Sequence, residues 1–405
     1  MALIVQKYGG SSVADAEKIK NVGRRIARTR DEGNEVVVVV SAMGDTTDEL
    51  IELAYQISEN PDSRELDVLL STGEVVSSTL LAMSLHVMGY SAISLSGAQA
   101  GIRTDSAYSR ARILQIEPKR VIRELEKGNI VIVAGFQGMT EDMDVTTLGR
   151  GGSDTTAVAL AATLGAEVCQ IYTDVDGVYS ADPRLVPEAQ RLDEIHYEEM
   201  LELATYGAKV MHPRAVELGE LFHIPILVAS SFTGNPGTLI HGGVSMEVRN
   251  KVRSIAHNLN VGKITVVGVP DRPGIAATIF EPLAKAGVSV DTIVQNASIQ
   301  GITDLTFTVF KSDLARAMEV VKSIAAQIGA RECASDDKLG EVSIIGTGMQ
   351  NTPGFAARMF STLSEKNINI QLITTSEIRI TCIINADEVK EAVRALHRAF
   401  EIEEG

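Results

Sequence analysis

Leu3-Ile4-Val5-Gln6-Lys7-Tyr8-Gly9-Gly10-Ser11-Ser12-Val13 carries an apolar run into two glycines and two hydroxyl side chains. The run reads as a buried strand and the glycines as a turn, with a helix beginning near Asp15 on which Ile19, Val22 and Ile26 recur at helical spacing. The pattern repeats downstream. Glu35–Ser41, Ala92–Leu95, Ile130–Ala134, Val168–Thr173 and Pro225–Ser230 read as further strands, several apolar on both faces, and Thr155–Leu164 reads as a helix closed by Gly165. Strand-helix alternation predicts an α/β sandwich with a mostly parallel sheet. Ligands of such sheets collect beyond the carboxyl ends of the strands, so chemistry is sought there.

Turn formers crowd Ser231-Phe232-Thr233-Gly234-Asn235-Pro236-Gly237 and Gly242-Gly243, which places a domain boundary near residue 245. Beyond it a unit occurs twice. Pro273-Gly274 matches Pro353-Gly354, an offset of 353 − 273 = 80 residues, and Leu283 matches Leu363. Each copy reads strand, Pro-Gly turn, helix, strand, strand, helix, which suggests two ferredoxin-like βαββαβ modules. Two copies favour paired globular modules over a solenoid, which needs at least three repeats. The expected division is 1–245, 246–335 and 336–405.

Composition excludes several classes of function. With 37 Lys+Arg against 53 Asp+Glu, the 405-residue chain carries a net charge of −16, which repels nucleic acid. Aromatic residues make up 4% and Trp is absent, so no stacking platform for single strands is expected. Uninterrupted apolar runs such as Val36–Val40 fall short of a bilayer span, and the N-terminus reads as a strand rather than a secretory signal. A cytoplasmic protein with no membrane partner is expected. Cys169, Cys333 and Cys382 lie far apart, and the seven histidines show no ligand spacing, so buried thiols and no protein-only metal site are expected.

Three constellations carry chemistry. In Lys7-Tyr8-Gly9-Gly10-Ser11-Ser12, backbone N–H groups freed by glycine, a helix N-terminus and a lysine outline an anion site; a glycine turn with a solvated lysine reads equally well. In Gly149-Arg150-Gly151-Gly152-Ser153-Asp154, three glycines surround an arginine suited to a bidentate carboxylate or phosphate clamp, while Asp154 could simply cap a helix. Tyr172-Thr173-Asp174-Val175-Asp176-Gly177-Val178-Tyr179 runs on to Asp182 and Arg184 and reads as a nucleotide loop or a solvated acidic turn. Its spacing is not that of an EF-hand, and the chain holds no GxxxxGK[ST] loop. Smaller signals lie at Ser41 to Thr47, Ser71 to Glu74 and Tyr206 to Pro213; alone, Ser71 to Glu74 reads as a helix cap and Lys209 as a surface charge. Taken together, this inventory suits phosphoryl transfer, which needs neutralised charge and positioning.

These motifs in this order, followed by the two repeats, resemble the aspartate kinases of the short bacterial type, with an amino-acid-kinase sandwich and two C-terminal ACT modules. The resemblance covers essentially the whole chain. It implies transfer of the ATP γ-phosphoryl group, with Mg²⁺ arriving on the nucleotide, to the β-carboxylate of L-aspartate, the entry to lysine, threonine and methionine. By the same resemblance, Lys7 and Asp154 are catalytic, and Ser41, Thr47, Glu74 and Arg150 bind aspartate. Lys7, Gly9, Gly10, Ser11, Thr173, Asp174, Tyr179, Arg184 and Lys209 hold ATP. ACT modules imply oligomers and effector sites for lysine, threonine or both; candidate contacts are Asp271, Gly274, Gln295 and Asn296 in the first copy and Asn369, Ile370, Thr375, Ser376 and Glu377 in the second. In the family, the strand near Ser254–Leu259 and the last module can share one fold around an inserted first module, and a shorter chain can start internally, here with Met246 as candidate. Two alternatives remain: another amino-acid kinase, of the acetylglutamate or glutamate 5-kinase type, or a catalytically inactive amino-acid sensor.

Overall fold

The computed structural model describes residues 2–207, 210–243, 252–296, 298, 301–347, 349 and 353–402. Lys209 and Met246 lie outside the described residues. The chain divides into two units, residues 1–179 with 191–248 and residues 180–190 with 249–405.

The first unit is built on an eight-stranded sheet in the spatial order Glu194–His196, Thr238–His241, Ile226–Ser230, Val168–Thr173, Leu3–Tyr8, Glu35–Val40, Ile130–Ala134, Ala92–Leu95. Only the pair Ile226–Ser230 and Thr238–His241 runs antiparallel. Val36 to Val40 are fully buried on both faces, as the near-continuous apolar run of a central parallel strand requires. The helix Ala16–Asp31 begins where the Asp15 side chain accepts the Lys18 N–H, and it lays Ile19, Val22 and Ile26 on the sheet. A second sheet of four strands, Ile113–Ile116, Ile102–Thr104, Gln137–Met139 and Val145–Thr147, escapes a sequence reading because each is only three or four residues long.

Two helices differ from expectation. Ser71 to Glu74 do not cap a helix; they lie inside the 25-residue helix Ser63–Val87, whose cap is Asp62. That helix is long and apolar enough to cross a bilayer by length and composition, but half of its apolar window is buried in the protein and it carries the buried carboxylates Asp67 and Glu74. It is a core helix. The helix expected over Thr155–Leu164 begins earlier, at Gly152, because Gly151 takes a left-handed conformation (φ 69°) that starts the turn.

The second unit holds one six-stranded antiparallel sheet ordered Val290–Gln295, Ile302–Phe310, Ser254–Pro270, Glu332–Ile345, Arg379–Asn385, Leu372–Thr375. Its two central strands are long and shared by both repeats. Bulges between Asn258 and Lys263 divide the 17-residue strand, so that Ser254 to Asn258 pair with Ile345 to Glu341 in the second module and the remainder serves the first. The expected boundary at 335/336 falls inside Glu332–Ile345. The last module is therefore completed by chain that precedes the first. Residues 180–190 also belong here: Ala181 and Val186 enter the core formed by Val342, Met359 and Leu396, and Arg394 Nε donates to the Leu185 carbonyl at 2.7 Å.

Candidate active site

Lys7 occupies the central strand, in register with Val39 on one side and Ile171 on the other, near the carboxyl ends of all three. Its Nζ lies 2.6 Å from Asp154 Oδ1, and both side chains are only 11% exposed. Asp154 sits in the first turn of Gly152–Leu164, where the helix dipole favours an anion and backbone N–H groups lack partners within the helix. The turn after Lys7 is tight. Gly10 accepts the Gly44 N–H at 3.1 Å, and a Cβ there would meet the Ala42 carbonyl at 2.9 Å, so glycine is required. Gly9 donates to the Tyr172 carbonyl at 3.2 Å, joining the turn to the next strand.

Glu74 reaches the same loop from the opposite side. Gly73 brings its helix so close that an added Cβ would lie 2.8 Å from Ala42 Cβ, and Glu74 Oε1 accepts the Ala42 N–H at 3.2 Å. Ser77 Oγ donates to the Ser41 carbonyl at 2.7 Å and holds the loop. Glu74 Oε2 is buried with no partner, and burial pushes the carboxyl up to about 7 against two backbone N–H groups that pull it down. Such an oxygen is able to accept a donor from a ligand. Ser41 and Thr47, both half-buried, lie on that loop and at the start of the helix Thr46–Ile57.

Arg150 is exposed between Gly149 and Gly151, both at positive φ, and has no ion-pair partner among the described residues. Three residues lie between it and Asp154, so their Cα atoms are at most about 14 Å apart. A side chain on Gly151 would collide with His212 at 2.3 Å. Desolvation and Arg214 lower the His212 pKa, so its imidazole is neutral near pH 7 and brings no charge to this end of the helix. Ser11 is exposed, whereas the Ser12 hydroxyl donates to Ser231 Oγ at 2.8 Å.

Thr173 ends its strand and donates its hydroxyl to Asp174 at 3.0 Å, while Ser231 donates to the Thr173 carbonyl at 2.9 Å. The glycine turn and the Thr173 loop are thus tied together. Asp176 anchors Thr233 and Asn235, and Tyr179 bridges to Arg191. Arg184 belongs to the 180–190 segment of the second unit, where its guanidinium holds Asp182 through contacts of 2.8 and 3.0 Å and keeps that carboxyl below the usual range. No cluster of three metal-ligating side chains occurs among the described residues.

The ACT-side candidates lie at opposite edges of the six-stranded sheet. Asp271 and Gly274 precede the helix Ile275–Lys285, with Asp271 N–H on the Gly301 carbonyl and Gly274 at φ 88°; Gln295 ends one edge strand and Asn296 follows it. Asn369 and Ile370 precede the other edge strand, and Thr375, Ser376 and Glu377 follow it. All except Ile370 are exposed. Two further residues carry no sequence signal: Asp67, fully buried seven residues before Glu74, and Arg214, which donates to the Leu148 and Ala111 carbonyls.

Residues 2–230 match the amino acid kinase family, and residues 263–326 and 342–400 each match the ACT domain. The chain is 52% identical over its whole length to the aspartate kinase of Stutzerimonas stutzeri, covering 98% of that protein. It is 50% identical to the aspartokinase of Corynebacterium glutamicum, with 99% and 97% of the two chains covered. Among solved structures, Escherichia coli aspartokinase III in complex with aspartate and ADP superposes with a TM-score of 0.83 at 26% identity over 98% of this chain and 99% of that one. The same enzyme in complex with lysine and aspartate gives a TM-score of 0.75. Matched over its whole length at about 50% identity and built of a kinase fold followed by two ACT modules, the chain belongs to the aspartokinases.

Proposed function

We propose that this aspartokinase performs its reaction around the Lys7–Asp154 pair, with the aspartate β-carboxylate attacking the γ-phosphorus of Mg-ATP and ADP leaving. A β-carboxylate is already ionised at pH 7, so the protein has no need of a general base. What it supplies is positive charge where two anions meet. Lys7 stabilises the transferring phosphoryl group, with Gly9, Gly10 and Ser11 as donors, and Asp154 holds the lysine. Arg150 clamps the α-carboxylate, Ser41 and Thr47 donate hydroxyls, and Glu74 takes the α-ammonium. Thr173, Asp174, Tyr179 and Lys209 hold the nucleotide, which brings the Mg²⁺; Arg184, engaged by Asp182 within the second unit, is left out of this set.

The 2.6 Å contact between two nearly buried opposite charges, one near a strand end and one in the first turn of a helix, carries this reading. Hydroxylamine trapping of the acyl phosphate tests it: aspartate gives the hydroxamate, while glutamate and acetylglutamate do not. Equal trapping with glutamate would move the chain to another amino-acid kinase, and none with any acceptor would make it a sensor.

In the same reading the enzyme is cytoplasmic, serves lysine, threonine and methionine synthesis, and is inhibited by lysine, threonine or both through its ACT modules. The exposed edge strands Val290–Gln295 and Leu372–Thr375 favour pairing with another copy or with a shorter chain begun at Met246, because an uncovered edge invites a partner strand. Gln295→Ala raises the effector concentration needed for half-inhibition if the seam is the effector site; an unchanged inhibition curve places the effector elsewhere.

A further inference from the structure

The helix Ser63–Val87 carries two buried carboxylates, Asp67 and Glu74, seven residues apart. Two turns separate them, roughly 10 Å along the axis and on the same face. Asp67 has no solvent exposure and no cation within ion-pair distance among the described residues. Its oxygens instead accept a convergent set of neutral donors. Thr147 donates its N–H at 2.8 Å and its hydroxyl at 2.7 Å, while Ser109 donates its N–H at 3.0 and 2.9 Å to the two oxygens and its hydroxyl at 3.4 Å. A carboxylate only accepts, and one satisfied from both sides fixes the backbone it touches.

What it fixes is the approach to Arg150. Thr147 ends its strand three residues earlier, Arg214 Nη1 holds the next carbonyl, Leu148, at 2.9 Å, and Ser109 is turned into the left-handed region (φ 67°). The Ser109 carbonyl stands 3.0 Å from where a Cβ on Gly149 would be. Residues 147 to 149 are therefore gripped from the helix, from the Ser109 turn and from Arg214. We propose that Asp67 is a positioning residue that sets the spacing between Glu74 and Arg150, the receptors for the ammonium and carboxylate of the amino-acid substrate. One rigid helix then carries the first receptor directly and places the second through Asp67.

The proposal rests on the aspartate reading above, so the full-length wild-type enzyme is first assayed with aspartate and ATP. An enzyme inert towards aspartate defeats that reading and this proposal with it. In an active enzyme, Asp67→Asn puts an amide nitrogen against a backbone donor; the expected result is an aspartate KM about tenfold higher, with ATP KM and saturating kcat within about twofold. Thr147→Val, which removes one donor and leaves the carboxylate, should raise aspartate KM about threefold and decides the matter if Asp67→Asn does not fold. A purely structural role would move both substrates' KM and add to any other change. The distinguishing readout is coupling: in an Arg150→Ala background either substitution should add less than twofold to aspartate KM. Full additivity with Arg150→Ala, or a parallel rise in ATP KM, would overturn the proposal.

Discussion

Glu74 in the kinase unit and Glu341 in the ACT unit are almost equally buried, 3% and 2% exposed, and burial pushes both up to about 7. Their surroundings differ. Glu341 accepts Asn258 Nδ2 at 3.2 Å, with Asp291 raising and Arg379 lowering its pKa. Glu74 has one oxygen on a backbone N–H and the other on nothing. Burial makes a carboxylate anomalous in either place; the unsatisfied oxygen beside a glycine-lined loop is what leaves Glu74 able to accept a donor from a ligand.

The largest effect that could break this contrast comes from the centre of the kinase unit. Lys7→Ala should lower kcat about 100- to 1,000-fold, while circular dichroism shows a retained fold. Near-normal turnover would remove Lys7 from the chemistry. Glu74→Gln should raise aspartate KM roughly tenfold or more by replacing a charged receptor with a neutral one, with ATP KM unchanged. The wild-type aspartate KM should also rise roughly fivefold from pH 7 to pH 6 as Glu74 takes up a proton, a trend absent in the Gln variant.

Smaller effects sharpen the comparison. Gly73→Ala, which forces the helix away from Ala42, should raise aspartate KM a few-fold. Glu341→Gln should leave both KM values alone and act on stability only. A carboxyl whose folded-state pKa lies above its ordinary 4.5 gives stability that is complete below 4.5 and is lost as pH rises through about 7. The Tm advantage of Gln over Glu at 341 should therefore grow from pH 5 to pH 8; a constant difference would mean that this glutamate is not strained by its burial.

The sequence displayed the kinase unit's frame because its signals are local. Val36 to Val40 can only be a buried strand, and glycines at 10, 149, 151 and 152 stand where neighbours approach closely or the chain turns left-handed. Glu74 was found through the family resemblance; its own neighbourhood reads as a cap because the helix start at Asp62 depends on residues twelve positions earlier. Asp67 was invisible, since its donors come from Ser109 and Thr147, 42 and 80 residues away, and no periodicity reports such a contact. The shared central strands of the ACT unit were blurred by Asn258-Leu259-Asn260, where a bulge interrupts the alternation of faces. The assignment of residues 180–190 to the second unit follows from Ala181 and Val186 finding their core there, another distant effect.

Glu74 as the acceptor of the substrate ammonium is the assignment on which the rest depends, and proton release on binding measures it directly. Aspartate titrated into the enzyme by calorimetry at pH 6.5, in two buffers of different ionisation enthalpy, should release about 0.8 proton per site, because an ammonium beside Glu74 pulls its pKa down from about 7. The Glu74→Gln enzyme should release close to none. Equal release from both enzymes, or none from the wild type, would contradict the assignment.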